Sequence, residues 1–408
     1  MVAEIPSRVE NRGGRCDLRL ALGKWLVGLG IAATCGAAAL SQGDPQAEAF
    51  ALERAGRNSE AQTAWQAIAA ANPASAEPLA HLGLLEARQE HYGEAVAYYR
   101  KALTLDPAMP ALKLNMGLAL FKDGKYKDAI DVFEPMLKAR PDSPESPRLT
   151  LLLGMSHYGM GQYAAAAPYL QKAAAQDPTN QTLLLTLAHS CLLSNQYSCV
   201  VDAYHRMVAL NAESAEADML VGEALDEMKD PVGAQREFRA AVAANPKEPN
   251  VHFGLGYLLW TKAQYPEAAQ QFQAELDNNP HQLRAKLYLA DSYIQLNRMK
   301  DAKPLLENLV HEDPSDAMAH RDLAVVYADA GQNEEAVREF KASIALKPGD
   351  PNTHWRLGRL YKTMGRTAEA KSEFEKTNNL NKAEDERLLK VMSTIPKAAG
   401  NAPLEEKK

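Results

Sequence analysis

Small, bulky and proline positions recur along this chain at a fixed interval, and the interval is the first signal in it. In residues 256–280, GYLLWTKAQYPEAAQQFQAELDNNP, Gly256 is followed by Ala268 twelve residues on, Phe272 four further and Pro280 eight further. The slot of Gly256 is filled elsewhere by Gly83, Gly117, Gly154, Ala188, Gly222, Ala290, Ala324 and Gly358. Successive copies lie 34 residues apart, except for 37 between Gly117 and Gly154. The second small slot runs Ala95, Ala129, Ala166, Val200, Ala234, Ala268, Ala302, Ala336, Ala370. The bulky slot runs Tyr99, Phe133, Leu170, Tyr204, Phe238, Phe272, Leu306, Phe340, Phe374. Proline closes most units, at positions 107, 141, 178, 246, 280, 314 and 348, and Ala61, Trp65 and Pro73 mark an earlier, more divergent unit.

Each slot predicts a piece of a helical hairpin. Apolar residues spaced i, i+3, i+4 within each half, as at Leu79, Leu82 and Gly83, predict two amphipathic helices per unit. Asp123-Gly124, Met160-Gly161, Ala330-Gly331 and Met364-Gly365 predict the turn between them. Two helices approach closely only where side chains are small, so the Gly/Ala slots predict the crossing and the bulky slot fills the space beside it. Proline stops the second helix and sets the turn into the next unit.

The 34-residue helix–turn–helix with small residues, an aromatic and a closing proline resembles the tetratricopeptide repeat. The resemblance covers residues 42–382 as about ten units, starting near 42, 76, 110, 147, 181, 215, 249, 283, 317 and 351. It implies an all-α fold, a right-handed superhelical solenoid of stacked antiparallel helix pairs. The first-helix tryptophan usual in that family is mostly replaced, for example by Leu79, Thr150, His252, His320 and His354. Residues 383–408 then read as a capping helix, from Ala383 to Met392, and a polar tail.

Residues 1–41 differ from the rest. Arg8, Arg12, Arg15, Arg19 and Lys24 precede an apolar stretch from Trp25 to Leu40, and Ala37-Ala38-Ala39 supplies a small-x-small site. This predicts a secretory signal peptide and a periplasmic or secreted chain. The alternatives are a membrane anchor over residues 25–40 or a buried N-terminal helix. After cleavage two cysteines remain, Cys191 and Cys199. They face each other across the turn at Asn195-Gln196, as a candidate disulfide or as two reduced, buried thiols.

Composition narrows the chemistry. The chain has 408 residues, 46% hydrophobic, with a net charge of −7 and no long basic run. Nucleic-acid binding is therefore not expected. No Gly-rich phosphate loop with Lys-Ser/Thr and no His-Glu-x-x-His occurs. His189, Cys191, Cys199 and His205 do not form a zinc set, because their spacing spreads them around the helices. No catalytic residue, metal site or cofactor is expected, and no segment is left over for a catalytic module.

Two irregularities stand out. Residues 141–147, PDSPESP, hold three extra residues and three prolines, which predict either a hinge or a longer loop. The other is the unit beginning near 181, where HSCLLSNQYSCV, residues 189–200, carries Cys191 and Cys199; the inner slots of the next unit hold Glu223, Asp226 and Glu227.

The resemblance further implies that first helices line an inner groove through four slots per unit. Those slots here hold Leu118, Phe121, Leu151, Met155, Tyr158, Leu185, His189, Phe253, Tyr257, Trp260, Trp355 and Arg359. Apolar and aromatic surface on this scale marks a protein or peptide site, or else fills a narrow superhelix from within. The expected function is a non-enzymatic interaction scaffold of the bacterial-type cell envelope. The alternative is an accessory subunit of an envelope transferase or protease whose catalytic part is on another chain. Membrane contact is expected only through an uncleaved N-terminal segment.

Overall fold

The computed structural model describes residues 44–212 and 214–394. The signal segment and polar tail expected at 1–41 and 395–408 lie outside the described residues. Every regular element among those described is an α-helix. Contacts divide the chain into two compact units. Unit 1 holds α1 (Pro45–Arg54), α2 (Asn58–Ala71), α3 (Ala76–Arg88), α4 (Tyr92–Leu105), α5 (Pro110–Lys122), α6 (Tyr126–Ala139), α7 (Ser146–Gly159), α8 (Tyr163–Gln176), α9 (Gln181–Leu193) and α10 (Tyr197–Ala209). α11 (Ala215–Glu227) is divided between the units. Unit 2 continues with α12 (Pro231–Ala244), α13 (Val251–Thr261), α14 (Tyr265–Asn278), α15 (Leu283–Gln295), α16 (Met299–Glu312), α17 (Ala317–Asp329), α18 (Asn333–Leu346), α19 (Pro351–Thr363) and α20 (Thr367–Thr394).

Within each unit the principal contacts are sequential. A first helix packs on its own second helix, and that second helix packs on the next first helix. This is the contact pattern of a solenoid, in which each module touches its neighbours and no distant module returns. The core follows it. Leu306 and Leu309 of α16 are buried between Leu287 and Ala290 of α15 and Ala319 and Leu323 of α17. Phe340 of α18 is buried in the same way among Ala324, Leu357 and Tyr361.

The recurring slots have a direct geometric meaning. The bulky side chain lies on the small residue sixteen positions before it. A Cβ at Gly256 would come within 2.9 Å of the Phe272 ring, and one at Gly358 within 2.8 Å of Phe374. Gly83 against Tyr99 and Gly117 against Phe133 repeat the arrangement. Glycine is present because the ring occupies the volume of a side chain.

The turn inside each pair uses one left-handed residue at one register. Gly56, Glu90, Gly124, Gly161, Asn195, Lys229, Ala263, Asn297, Gly331 and Gly365 all have positive φ. Half of them carry a Cβ, which is strained there. Helix starts are fixed by side-chain caps at Asn180, Asp316 and Asp350, with proline in the first turn of α5, α7, α14 and α19.

The histidines sharing one slot are hydrogen-bonded to the second helix of their own pair. His320 Nδ1 lies 2.6 Å from Glu339 Oε2, and His354 Nδ1 lies 2.6 Å from Glu373 Oε2. His252 Nδ1 meets Gln271 Oε1 at 2.7 Å. In α3, His81 meets Glu53 at 2.8 Å and stacks on Trp65.

The insertion at 141–147 is an added turn. Ser146 Oγ donates to the Arg140 carbonyl at 2.8 Å, and α6 still packs on α7. The compact units divide elsewhere, near residues 213–230. Residues 381–387, on the continuation of α20, are exposed.

Candidate functional site

First helices of neighbouring pairs touch one another, α3 on α5, α13 on α15, α15 on α17 and α17 on α19. Helices on the inside of a curved stack are the ones brought together, so the first-helix row is the inner face of each unit. All the expected groove residues belong to this row, and they meet two fates.

In unit 1, Leu118, Leu151, Tyr158, Leu185 and His189 are half-buried. Phe121 and Met155 are not groove residues. Phe121 is only 4% exposed, with its ring 5.5 Å from Tyr126 at the start of α6. Met155 is 6% exposed, inside an unbroken buried run from Leu152 to Ser156 that leaves α7 enclosed at that level. Tyr158 likewise packs edge-on against Tyr163, the first residue of its second helix, at 5.6 Å. Cys191 and Cys199 form a disulfide with Cα atoms 5.9 Å apart, which ties the end of α9 to the start of α10.

In unit 2, Phe253, Tyr257 and Trp260 on α13 are half-buried and converge on Tyr288 of α15. Tyr288 is 5% exposed. Its ring centroid lies 5.1 Å from Trp260, 5.2 Å from Tyr257, 6.0 Å from Phe253 and 5.8 Å from Phe272. Most of these contacts are edge-to-face, the favoured geometry for ring quadrupoles. Burial, with Tyr257 beside it, pushes the Tyr288 hydroxyl up to about 12. Trp260 Nε1 donates to Asp291 Oδ2 at 2.6 Å, and the Arg284 guanidinium sits 5.1 Å above Phe253. The cluster is thus locked at its floor and carries polar groups at its rim.

The row continues into charge. Arg321 of α17 donates from Nε to Asp322 Oδ1 at 2.8 Å. Asp322 is buried, its Oδ2 has no hydrogen-bond partner, and burial pushes its carboxyl up although Arg321 opposes the shift. Asp322 in turn holds Arg321 above the ordinary guanidinium value. Arg356 of α19 donates from Nε to Asn352 Oδ1 at 3.0 Å. Burial, followed by the neighbouring Arg321, pulls Arg356 below the usual range, against Asp322, Asp291 and Asp350. Trp355 is 43% exposed and Arg359 lies 4.9 Å over its ring. Trp355 and Arg359 therefore form an exposed stacked pair, apart from the aromatic cluster on α13.

Slot counting along the chain missed Tyr288, Asp291, Arg321, Asp322 and Arg356. Tyr288, Asp322 and Arg356 share a position two residues before the small slot, which faces the neighbouring first helix. A bulky or charged residue recurring at that register is the signal that would have found them.

No helix among the described residues is long and apolar enough to cross a membrane. A cleft of about 460 Å³ between α12, α13 and α14 is lined by Val242, Leu255 and Leu259 and bordered by the Arg239–Glu267 ion pair. It lies apart from the aromatic cluster and holds no comparable set of rings.

Comparison with known proteins places these features in a family. One tetratricopeptide-repeat model matches residues 47–110, 114–181, 222–282 and 287–351, and a second matches 157–224 and 327–395. The chain is similar to BBSome complex member BBS4 of Bos taurus, at 26% identity over 50% of this chain and 38% of that protein. It is also similar to cellulose synthase operon protein C of Pseudomonas fluorescens (strain SBW25), at 23% identity over 73% of this chain and 22% of that protein. The chain spans little more than a third of the length of the BBS4 relatives it matches. Among solved structures, the APC/C hetero-tetramer Cut9–Hcn1 is similar at a TM-score of 0.46 and 18% identity, covering 73% of this chain and 58% of that one. MamA is similar at a TM-score of 0.38 and 19% identity, covering 41% of this chain and 97% of that one. With two-helix modules in register and family models matched over most of its length, the chain belongs to the tetratricopeptide repeat family.

Proposed function

We propose that this chain is a non-enzymatic interaction scaffold and that the first-helix face of unit 2 receives an extended segment of a protein partner. One observation carries the reading. Phe253, Tyr257 and Trp260 stand half-exposed on a buried Tyr288, and Trp260 is held by Asp291. A pre-ordered aromatic patch with satisfied polar edges suits a binding surface, because little side-chain entropy remains to be lost when a partner docks. Membership of a repeat family whose modules build long surfaces is in keeping with it.

We also propose that the chain works in an oxidising compartment, the periplasm or outside the cell, after removal of the N-terminal segment. The Cys191–Cys199 disulfide supports this, because such bonds persist where thiols are not kept reduced. Alkylation of the native protein followed by mass spectrometry, together with the mature N-terminal sequence, tests it. Blocked thiols at both cysteines in the envelope fraction are expected. Two free thiols in a cytosolic protein that retains residue 1 would refute it.

The likeness to cellulose synthase operon protein C over 73% of this chain favours a second reading, an accessory subunit of an envelope transferase. Affinity capture from the envelope fraction separates the two by partner. In either case Trp260→Ala is expected to release the captured partner while the helical circular dichroism stays unchanged. Undiminished capture would remove this face from the function.

A further inference from the structure

Two histidines of unit 2 each lie between two hydrogen-bond acceptors. His320, near the start of α17, has Nδ1 2.6 Å from Glu339 Oε2 of α18 and Nε2 3.1 Å from the Pro314 carbonyl. His354, near the start of α19, has Nδ1 2.6 Å from Glu373 Oε2 of α20 and Nε2 3.2 Å from the Pro348 carbonyl. Both residues are buried. A carboxylate and a backbone carbonyl only accept, whereas a neutral imidazole carries a proton on one nitrogen alone. A neutral ring would set one nitrogen lone pair against an oxygen and leave a buried bond unmade. The imidazolium donates from both nitrogens and fits both sites. His252 is the counter-example at the same register. Its Nδ1 meets the neutral amide of Gln271 at 2.7 Å, and the carbonyl of Pro246, six residues before it, accepts from Asn278 Nδ2 at 2.7 Å. Among the described residues its Nε2 has no acceptor. The charges around the two buried rings fit the same reading. Lys376 donates to the other oxygen of Glu373 at 2.7 Å, and against burial Lys376 and His354 hold that carboxyl below its usual value. Glu339 also acts on Tyr327, but burial and then Glu307 push that hydroxyl up to about 12, so it carries no charge. Arg321, beside His320, is paired with Asp322, and Arg356, beyond His354, donates to Asn352. Asp316 and Asp350 cap the two helices and offset the positive helix end that opposes a cation there.

We propose that His320 and His354 are proton-held latches, each doubly protonated in the folded chain at neutral pH and each tying the start of a first helix to its own second helix and to the turn that leads in from the preceding pair. Loss of the proton removes one of the two bonds and turns the remaining contact repulsive. A proton held more tightly by the folded chain than by the unfolded one contributes stability that is present at lower pH and lost as pH rises. The pairs α17–α18 and α19–α20 therefore loosen as pH rises past neutral. The pair α13–α14, joined by His252 and the uncharged Gln271, does not respond. The latches stand independently of the proposed binding face, but α17 and α19 belong to the same first-helix row, so that row becomes sensitive to pH at its far end.

Nitrogen-15 NMR of the whole chain, labelled only at its ten histidines, tests this. His252→Gln, His320→Gln and His354→Gln each remove one set of ring signals and so assign them. At about pH 7.5 a free imidazole has mostly lost its second proton. There His320 and His354 are expected with both ring nitrogens protonated, and His252 with one. Glu339→Gln and Glu373→Gln keep the side-chain shape and remove the charge. Each should turn its own histidine neutral while the other histidine signals stay in place, which shows that the fold is kept. The melting temperature should fall between about pH 6 and about pH 9, and fall less in the double variant His320→Gln with His354→Gln. A neutral ring at either position at about pH 7.5, whether its proton is lost or sits on the carboxyl, would overturn the proposal from the unaltered chain alone. So would a doubly protonated ring indifferent to its Glu→Gln change, or a fall in melting temperature as large in the double variant as in the parent.

Discussion

Unit 1 and unit 2 obey one packing rule and present two different surfaces. On the first-helix row of unit 1 stand Leu118, Leu151, Tyr158, Leu185 and His189, with Arg148 near the start of α7. On the same row of unit 2 stand Phe253, Tyr257 and Trp260, then Arg321, Arg356, Trp355 and Arg359. Beneath both, Gly117 under Phe133 and Gly256 under Phe272 make the same contact. The difference shows which slots are set by packing and which are left open. Where a ring lies within 3 Å of the place a Cβ would take, as at Gly117 and Gly256, a larger residue requires the ring to shift. The inner-face slots carry no such restriction, so their chemistry can serve recognition. Unit 1 adds a restraint that unit 2 lacks among its described residues, the Cys191–Cys199 disulfide.

The largest effect should be common to both units. Phe133→Ala and Phe272→Ala each remove a fully buried ring from a helix crossing and should cost about 3–5 kcal/mol in chemical denaturation. If either substitution proves nearly neutral, the shared rule fails in that unit. The next effect should separate the units. Reduction, or the paired change Cys191→Ser with Cys199→Ser, should cost unit 1 about 2–3 kcal/mol through the small loop it opens. Hydrogen exchange should quicken in α9 and α10 and not in unit 2. Uniform quickening would blur the contrast.

Acid should act on both units through separate pairs. Burial alone would raise the Glu53 carboxyl, but His81 and Arg88 outweigh it and hold it below the ordinary 4.5. For Glu373, Lys376 and His354 outweigh burial in the same way. A carboxyl lowered in the folded state contributes stability that is present above the unfolded value and lost as pH falls through the folded one. Denaturation midpoints should therefore drop below about pH 4.5, and Glu53→Gln and Glu373→Gln should each flatten that drop for their own unit. A midpoint that does not change on acidification would contradict the assignment. The smallest effect should be a gain. Ala263 holds a left-handed turn in unit 2 where unit 1 has Gly124 and Gly161 at the same register. Ala263→Gly should stabilise unit 2 by about 0.5–1 kcal/mol, and a loss of stability would show that the turn strain is relieved elsewhere.

Much of the fold was legible in the sequence because its rule is local and repeated. One glycine–ring contact implies the next at the same interval. The disulfide was legible as one of two readings for the same reason, since both cysteines flank a single turn. The face was only partly legible. Phe121 and Met155 occupy slots that point inward on average, but Tyr126 covers the first and α7 is closed around the second. Such cover depends on neighbouring side chains, which slot counting does not see. Tyr288 and Asp291 were missed because the side chains they meet, Tyr257 and Trp260, lie on another first helix. The Trp260–Asp291 bond joins residues 31 apart in sequence, and stacking alone brings them together. The histidine slot hid a similar pairing. His252, His320 and His354 look like packing residues until the partner nineteen residues on is counted, as Gln271, Glu339 or Glu373.

The central claim is that the first-helix row of unit 2 is the binding surface and that the slots beneath it only build the scaffold. Hydrogen–deuterium exchange of the whole chain with and without a captured partner peptide tests this most directly. The account predicts slowed exchange in α13, α15, α17 and α19, with α14, α16 and α18 and all of unit 1 unchanged. Protection confined to the second helices, or to unit 1, would contradict it.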